Sequence, residues 1–237
     1  MRKSALLATA LSVVAVPVAG VAYAATVDQS IDVTVSPSKA GTAKKPAAVK
    51  LKVDIKTKKK VASETFATRS AVISFDKNLV FNPSSFATCT QATVQANEAG
   101  CAKGSKVGSG TAVGEALGQV ANLKVSAFNG PKSTLNLHVT GSAPLAIDSV
   151  IVGKLGKASG KYGTKLTVTI PTTLQQPLPG VFATLTSFVT TIDKKTSKGK
   201  PYVGLKGCSG GKLAFKGDFV FSDGTKASAT DSVACKK

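Results

Sequence analysis

The chain has 237 residues and a formal net charge of +19 at pH 7, carried by 31 lysine and arginine residues against 12 acidic ones. It contains no tryptophan and one histidine, which argues against the indole platforms of many sugar-binding proteins and against a histidine-rich zinc site. Nearly all of the positive charge is lysine, which lacks the planar fork of arginine, so the charge favours diffuse attraction to polyanions over recognition of a base sequence.

The first residues have the pattern of a secretory signal peptide. Arg2 and Lys3 precede an apolar and small-residue run over residues 5–18, and Ala22-Tyr23-Ala24 follows with the small-x-small spacing of a signal-peptidase site. The run is shorter than the ~20 apolar residues that cross a bilayer, so a membrane anchor is the weaker interpretation. We therefore expect residues 1–24 to be removed and the protein to be secreted, either extracellular or associated with the cell wall.

Cleavage at that position would leave residues 25–237, a length that suits a single β domain. Of the 31 basic residues, Arg2 and Lys3 are lost, which leaves 29 against 12 acidic residues and a net charge of +17. This charge predicts an anionic cell-wall polymer or a membrane surface as a partner. It predicts no specific nucleic acid, no metal and no small-molecule cofactor.

The first strands are predicted from alternating apolar and polar side chains. Residues 25–35 alternate in this way, and Pro37 ends the segment. Residues 49–55 alternate again and predict a strand with one wet, basic face. The lysines that follow predict a basic turn, formed by Lys56, Lys58, Lys59 and Lys60.

The middle of the chain predicts further strands and one short helix. Residues 90–97 contain no glycine or proline and can form a helical turn or two. The other predicted strands lie at residues 71–75, 79–81, 120–128, 135–139, 147–155, 166–170, 184–192 and 202–205. With the last hairpin this makes about ten to twelve strands. The pattern indicates an all-β fold, an antiparallel β-sandwich that is immunoglobulin-like or jelly-roll-like.

The last hairpin has a pattern that predicts its register. A three-residue loop, Asp223-Gly224-Thr225, would place only apolar residues opposite one another. The predicted pairs are Phe221 with Ala227, Phe219 with Ala229, Phe215 with Val233, and Leu213 with Cys235. A slip of one residue would place lysine and serine opposite the phenylalanines, so we prefer the first register.

The four cysteines are Cys89, Cys101, Cys208 and Cys235. An even number in an exported chain indicates two disulfides, and neither CxxC spacing nor clustered histidine supports a zinc site. Three pairings are open. We favour Cys89 with Cys101 and Cys208 with Cys235, because each pair flanks a compact local segment.

Two lysine-rich segments are the candidate polyanion-binding sites. They comprise Lys56, Lys58, Lys59 and Lys60 in the first segment, and Lys194, Lys195, Lys198 and Lys200 in the second. The second segment, residues 194–200, is also predicted to form a basic turn. The simpler interpretation of the first segment is a solvated hairpin tip that protects a sheet edge.

One short motif resembles a serine-hydrolase site. Residues 207–211, Gly-Cys-Ser-Gly-Gly, match G-x-S-x-G, but that motif needs a helix after the serine and here a strand pattern follows. The histidine available to Ser209 is His138, which lies on the outward face of a predicted strand. We therefore assign no catalytic residue and interpret the motif as a bulge beside a disulfide.

The glycine-rich run at residues 104–111 does not meet the phosphate-loop pattern GxxxxGK[ST], and no helix is predicted after it. We expect it to enter a strand.

Acidic residues are scattered singly from Asp28 to Asp231, so the sequence indicates neither a glycosidase carboxylate pair nor a calcium site.

The chain contains the short motifs Phe81-Asn82-Pro83, Cys89, residues 101–112, Phe128-Asn129-Gly130 and Cys208-Ser209-Gly210-Gly211-Lys212-Leu213. In these motifs it resembles a group of exported β-rich proteins of high-GC Gram-positive bacteria that has no assigned activity. The resemblance implies export and a β-rich fold, and it assigns no functional residues.

These observations favour an exported, non-catalytic β-sandwich that acts as a binding or structural module of the cell envelope or the extracellular space. Two alternatives remain open. One is an exported hydrolase whose active site assembles only in the fold. The other is extracellular nucleic-acid binding without sequence preference, through phosphate contacts.

Overall fold

The computed structural model describes residues 27–60, 66–143 and 146–237. The predicted signal peptide, residues 1–24, lies outside them. Within the described residues the chain is all-β, as predicted, with sixteen strands and two short α-helices. The strands are β1 (Val27–Ser36), β2 (Ala47–Ala48), β3 (Lys50–Lys59), β4 (Thr68–Asp76), β5 (Leu79–Phe81), β6 (Lys106–Ala116), β7 (Gln119–Gly130), β8 (Thr134–Gly141), β9 (Ile147–Lys157), β10 (Tyr162–Thr169), β11 (Thr184–Ile192), β12 (Thr196–Ser197), β13 (Lys200–Pro201), β14 (Val203–Leu205), β15 (Lys212–Phe221) and β16 (Lys226–Ala234). The helices are α1 (Gln91–Ala96) and α2 (Thr172–Gln175).

Eleven strands form one antiparallel sheet in the order β1-β3-β11-β6-β7-β8-β9-β10-β4-β15-β16. The sheet rolls over so that β3 and β11 face β4, β9 and β10 across a shared apolar interior, which gives it the two packed layers of a sandwich. Its two edges, β1 and β16, lie side by side. The Val33 amide donates to Asp231 Oδ2 at 2.7 Å, and the Lys236 amide donates to the Ser38 carbonyl at 2.9 Å. Each edge is thereby protected from pairing with another chain.

The phenylalanines lie mainly in the core. In β15 the odd-numbered apolar residues Leu213, Phe215, Phe219 and Phe221 are buried, as the two-residue period of a strand requires. Phe215 packs edge to face on Phe75, with ring centroids 6.4 Å apart. Burying such a side chain stabilises the fold by roughly 1.5–3 kcal/mol, so these rings contribute much of the core.

The lysines that were predicted to form a turn after residue 55 instead continue strand β3 as far as Lys59. Lys56 pairs with Ser30 and Lys58 with Asp28, because β1 extends alongside them. The opposite charges of Lys58 and Asp28 favour this extension. The second basic segment does form a turn: Lys198 and Gly199, both with positive φ, connect β12 to β13.

The predicted register of the last hairpin is wrong by two residues. Phe219 lies opposite Ala227, Leu213 opposite Val233, and Phe215 opposite Asp231. The loop is Ser222-Asp223-Gly224, because Phe221 and Thr225 already pair and Gly224 takes the left-handed third position with φ +86°. A shift of two residues keeps every side chain on its face of the sheet, so the apolar pattern could not distinguish the two registers.

Both predicted disulfides are present, Cys89–Cys101 and Cys208–Cys235, and no cysteine of the described residues is free. The loop closed by the first bridge contains α1, which confirms the short helix predicted at residues 90–97. The Thr90 hydroxyl caps this helix by accepting from the Thr93 amide at 3.1 Å. Val94 of α1 is buried against Phe128 and Val150 of the sheet. The disulfide-linked loop therefore packs on the outer face of the sheet and forms a second, smaller core there.

The rolled sheet has two different ends. At the disulfide end, β3 begins and β11 ends, and the small sheet β2-β14-β5 covers the opening. The other end lies beside the tip of the β6–β7 hairpin, which contains Leu117, and we call it the Leu117 end. There β3 ends and β11 begins. The strands between the two ends span roughly 25 Å, at about 3.3 Å per residue.

Asn129 holds the disulfide end together. It is fully buried, and its Nδ2 donates to the carbonyls of Pro83 and Ala87, both at 3.0 Å. Its Oδ1 accepts from the Tyr202 hydroxyl at 3.2 Å. Its main chain bonds the Cys89 amide and the Ser105 carbonyl, both at 2.8 Å. Through its side chain and main chain together, this one residue therefore satisfies polar groups from three separate segments.

We predict that Asn129→Ala lowers the free energy of unfolding by about 3 kcal/mol, because buried carbonyls and a hydroxyl lose their partner. Denaturant unfolding of the purified protein measures this loss. Asn122→Ala, at an exposed position of the same strand, is the control and should change stability little. A loss below about 1 kcal/mol for Asn129→Ala would show that water satisfies the same groups.

Candidate functional site

The first lysine segment lines an open cleft at the Leu117 end, which we call the β3 cleft. It is formed by Lys56, Lys58, Lys59 and Lys60 with Asp28, Gln29, Ser30 and Glu115. Two of its lysines are paired with acids: Lys59 Nζ lies 2.8 Å from Glu115 Oε1, and Lys60 Nζ lies 3.5 Å from Asp28 Oδ1. Much of the positive charge of this cleft is therefore balanced locally.

The second segment lines a cleft at the disulfide end, which we call the Lys195 cleft. Its lining residues are Ser85, Phe86, Ala87, Lys103, Gly104, Lys195, Thr196, Ser197 and Lys198, and its volume is about 500 Å³. No carboxylate is among them. Lys195 Nζ donates to the Lys106 carbonyl at 2.7 Å, which fixes that ammonium group at the wall of the cleft. Lys103, Lys195 and Lys198 have no ion-pair partner among the described residues, so these three lysines can together hold an anionic group.

The two predicted lysine sets do not form one surface. Lys56 pairs with Ser187 near one end of β11, whereas Lys195 follows the other end at Ile192. Lys194 and Lys200 are exposed but lie outside the residues that line the Lys195 cleft. Lys103, which sequence reasoning did not include, lies in that cleft because the Cys89–Cys101 loop brings it there.

A third cluster was not predicted from sequence and contains the histidine of the chain. His138 Nδ1 lies 2.8 Å from Glu98 Oε1, and His138 Nε2 lies 2.8 Å from Asp148 Oδ1. Gln95 Nε2 also donates to Asp148 Oδ1, at 2.6 Å. His138 points outward from β8, as expected, but the disulfide-linked loop covers it. The cluster thus ties that loop to the sheet.

The environment of Glu98 favours its ionised form. Burial raises the pKa of this carboxyl, but hydrogen bonds from His138, Ser126 and Lys106 and the positive charge of Lys106 outweigh burial and lower the pKa below its ordinary value. Lys106 Nζ lies 3.2 Å from Glu98 Oε2 and 2.9 Å from Ser126 Oγ. Glu98 therefore stays negatively charged and stabilises the loop at neutral pH.

This geometry does not assemble a serine nucleophile with a histidine base. Both ring nitrogens of His138 are occupied by carboxylates, although Ser126 lies directly across from it on β7. Ser209 lies elsewhere, with its hydroxyl 3.5 Å from Asn78 Oδ1, and a strand follows its motif as predicted. A general base must reach the proton that it takes, and among the hydrogen bonds of the described residues His138 contacts neither serine hydroxyl.

The described part of the chain holds no group of three or more His, Cys, Asp or Glu side chains arranged to bind a metal ion. In the His138 cluster the two carboxylates approach opposite nitrogens of one ring, so they do not converge on a common point. No helix among the described residues is long and apolar enough to cross a membrane.

No family model matches the chain, and no curated protein matches it. Among solved structures, the chain is similar to the T6 backbone pilin of serotype M6 Streptococcus pyogenes, which has a modular three-domain structure. The identity is 12%, the match covers 88% of this chain and 36% of the pilin, and the TM-score is 0.31. The chain thus matches little more than a third of the length of that protein.

We predict that acid weakens the fold through Glu98. Because folding lowers the pKa of Glu98, its stabilisation is complete above the unfolded value of about 4.3 and is lost as pH falls through the lower folded value. Glu98→Gln should lower the free energy of unfolding at neutral pH by about 1 kcal/mol, since the group is about one-third exposed and partly screened. It should also reduce the acid dependence.

Unfolding measured between neutral and acidic pH tests this prediction. The control is Asp28→Asn, which removes a carboxylate that is 71% exposed and loosely paired with Lys60. An acid dependence that is equal in the wild type and in Glu98→Gln would contradict the assignment. His138, Asp148 and Lys106 face the same cluster and are unchanged in both variants.

Proposed function

We propose that this protein is an exported, non-catalytic β-sandwich that binds anionic polymers in the cell envelope or the extracellular space. The Lys195 cleft carries this proposal, because three lysines line it without a carboxylate. The hydroxyls of Ser197 and Thr196 in the same lining add donors for anionic oxygens.

Export is supported by the cysteines. Both pairs are bridged, and stable disulfides are typical of proteins that work in oxidising compartments such as the extracellular space. One bridge closes the loop that supplies Lys103, and that residue immediately follows Cys101-Ala102. The same covalent link therefore holds part of the cleft in place.

The remaining charge would act at longer range. A net charge near +17 attracts polyanions over about 8–10 Å at moderate ionic strength and increases the rate of encounter. The β3 cleft, where Lys56 and Lys58 have no ion-pair partner among the described residues, is the weaker of the two contact sites. Lysine ammonium groups contact phosphate or carboxylate without reading a sequence, so the partner is defined by its charge and not by its order of units.

We predict that Lys103→Gln combined with Lys198→Gln weakens binding to long-chain polyphosphate. A lysine near an anionic surface contributes about 1 kcal/mol, so the double variant should bind roughly 30-fold more weakly at low salt. The slope of log Kd against log salt concentration should decrease by about two, because two fewer counterions are released. Titration calorimetry or fluorescence anisotropy at several salt concentrations measures both changes.

Two matched variants carry the same change in net charge. Lys154→Gln with Lys165→Gln alters exposed lysines on the outer face of β9 and β10, and should lower affinity much less. Lys56→Gln with Lys58→Gln tests the β3 cleft. Equal losses in all three double variants would contradict a defined site and leave only a general charge effect. Absence of binding at low salt would overturn the proposal.

The choice of polyanion distinguishes the partner classes. Phosphatidylglycerol vesicles, polyglutamate and duplex DNA are compared with polyphosphate under the same conditions. Binding to DNA that exceeds binding to the other polymers at equal salt would favour the nucleic-acid alternative.

A further inference from the structure

The interior of the rolled sheet contains an apolar cavity of about 100 Å³. It lies between β3 and β11 on one side and β4, β9 and β10 on the other. Phe188, Leu166 and Phe219 are among the apolar side chains that line it. A dry, apolar cavity of about 150 Å³ in another protein holds benzene or xenon, and the present cavity approaches that size when the hollow that adjoins it is included.

The cavity continues toward the Leu117 end. A second hollow of about 60 Å³ shares Ile151, Ile170 and Phe188 with it. A third hollow of about 140 Å³ adjoins the second at Gly114 and Ile147 and lies under the tip of the β6–β7 hairpin. Because neighbouring hollows share lining residues, the three form a series of apolar hollows from the Leu117 end to the centre of the core.

The surface end of this series is unusually apolar. Leu117 is 71% exposed and Leu178 is 45% exposed, and both line the third hollow. Leu117 also has a φ of +50°. Large apolar side chains held outward at the entrance of an apolar hollow are suited to contact an apolar ligand as it enters.

Thr190 places one polar group inside the cavity. It is only 9% exposed, and its Oγ1 has no hydrogen-bond partner among the described residues. Two other hydroxyls of the lining are satisfied: the Thr57 hydroxyl donates to Gln29 Oε1 at 2.9 Å, and the Tyr202 hydroxyl donates to Asn129 Oδ1. A buried hydroxyl without a partner is costly, and a ligand that supplied the missing hydrogen bond would remove that cost.

We propose that the cavity binds a small neutral amphiphile, an alkyl body with one hydroxyl or carbonyl group that hydrogen bonds Thr190 Oγ1. The alkyl body contacts the apolar side chains around Phe188, and the polar group lies at Thr190. A charged head group does not fit the site, because an ion buried among apolar side chains would lose its hydration without a compensating partner. The Lys195 cleft shares no lining residue with the cavity, whereas Thr57 lines both the cavity and the β3 cleft.

Three probes of similar size test this proposal: hexanol, heptane and hexanoate. Each is titrated into the isotopically labelled protein while amide chemical shifts are followed by nuclear magnetic resonance. Hexanol should shift the amides of Phe188, Thr190 and Ile151, and hexanoate should not. Hexanoate that binds the cavity as tightly as hexanol would overturn the assignment of a neutral ligand.

Thr190→Val tests the hydrogen bond, since valine has nearly the same shape and lacks the hydroxyl. It should lower the affinity for hexanol about tenfold and leave the affinity for heptane unchanged or higher. A general change in packing would alter the affinities for hexanol and heptane alike, so a loss confined to hexanol excludes it. Equal affinity of hexanol for the wild type and for Thr190→Val would overturn the role of Thr190.

Gly114→Leu tests whether the ligand enters the cavity from the Leu117 end, through the third and second hollows. A Cβ at Gly114 would meet no atom within 4 Å, and the backbone there is not in the left-handed region, so a leucine side chain would project into the second and third hollows. Hexanol should then bind at least tenfold more slowly or more weakly. The matched control is Gly156→Leu, in β9 on the outer face, where an added Cβ also meets nothing. Unchanged binding in Gly114→Leu would overturn the proposed entry.

Discussion

The carboxamide of Asn129 is the contact on which the disulfide end of the molecule depends. The loop after β5 turns its carbonyls toward the buried side chain of Asn129, and Asn129 Nδ2 satisfies two of them at 3.0 Å. Its Oδ1 accepts from Tyr202, whose ring packs on Phe86. Because a buried unpaired carbonyl is costly, these hydrogen bonds determine where the loop and the small covering sheet can lie.

The hydrogen bonds of Asn129 at the disulfide end also position the Lys195 cleft and the His138 cluster. The Asn129 main chain bonds Cys89 and Ser105, which flank the disulfide-linked loop. That loop carries Lys103 into the Lys195 cleft and Glu98 onto His138. A structural network in the core thus fixes a charged surface and a covered histidine cluster. The lysine cleft follows from this loop and not from the local lysine sequence alone.

The apolar hollows of the interior depend on glycine residues in β6. Gly114 of β6 lines the second and third hollows and adds no side chain to them, so the rolled sheet is not filled there. Gly110 has a different role, because any Cβ there would collide with the Val189 backbone of the adjacent strand. Gly110 thus lets β6 approach β11, whereas Gly114 leaves the apolar hollows open.

Local sequence determined the all-β class, the helix at α1, the turn at Lys198-Gly199 and the two disulfides, because each depends on side-chain alternation, capping or short spacing. It did not determine the register of the last hairpin, since a two-residue shift preserves the faces of the sheet. Nor did it bring Glu98, His138 and Asp148 together, or separate the two lysine clefts. Those features depend on long-range strand order, which brings together residues that no local pattern relates.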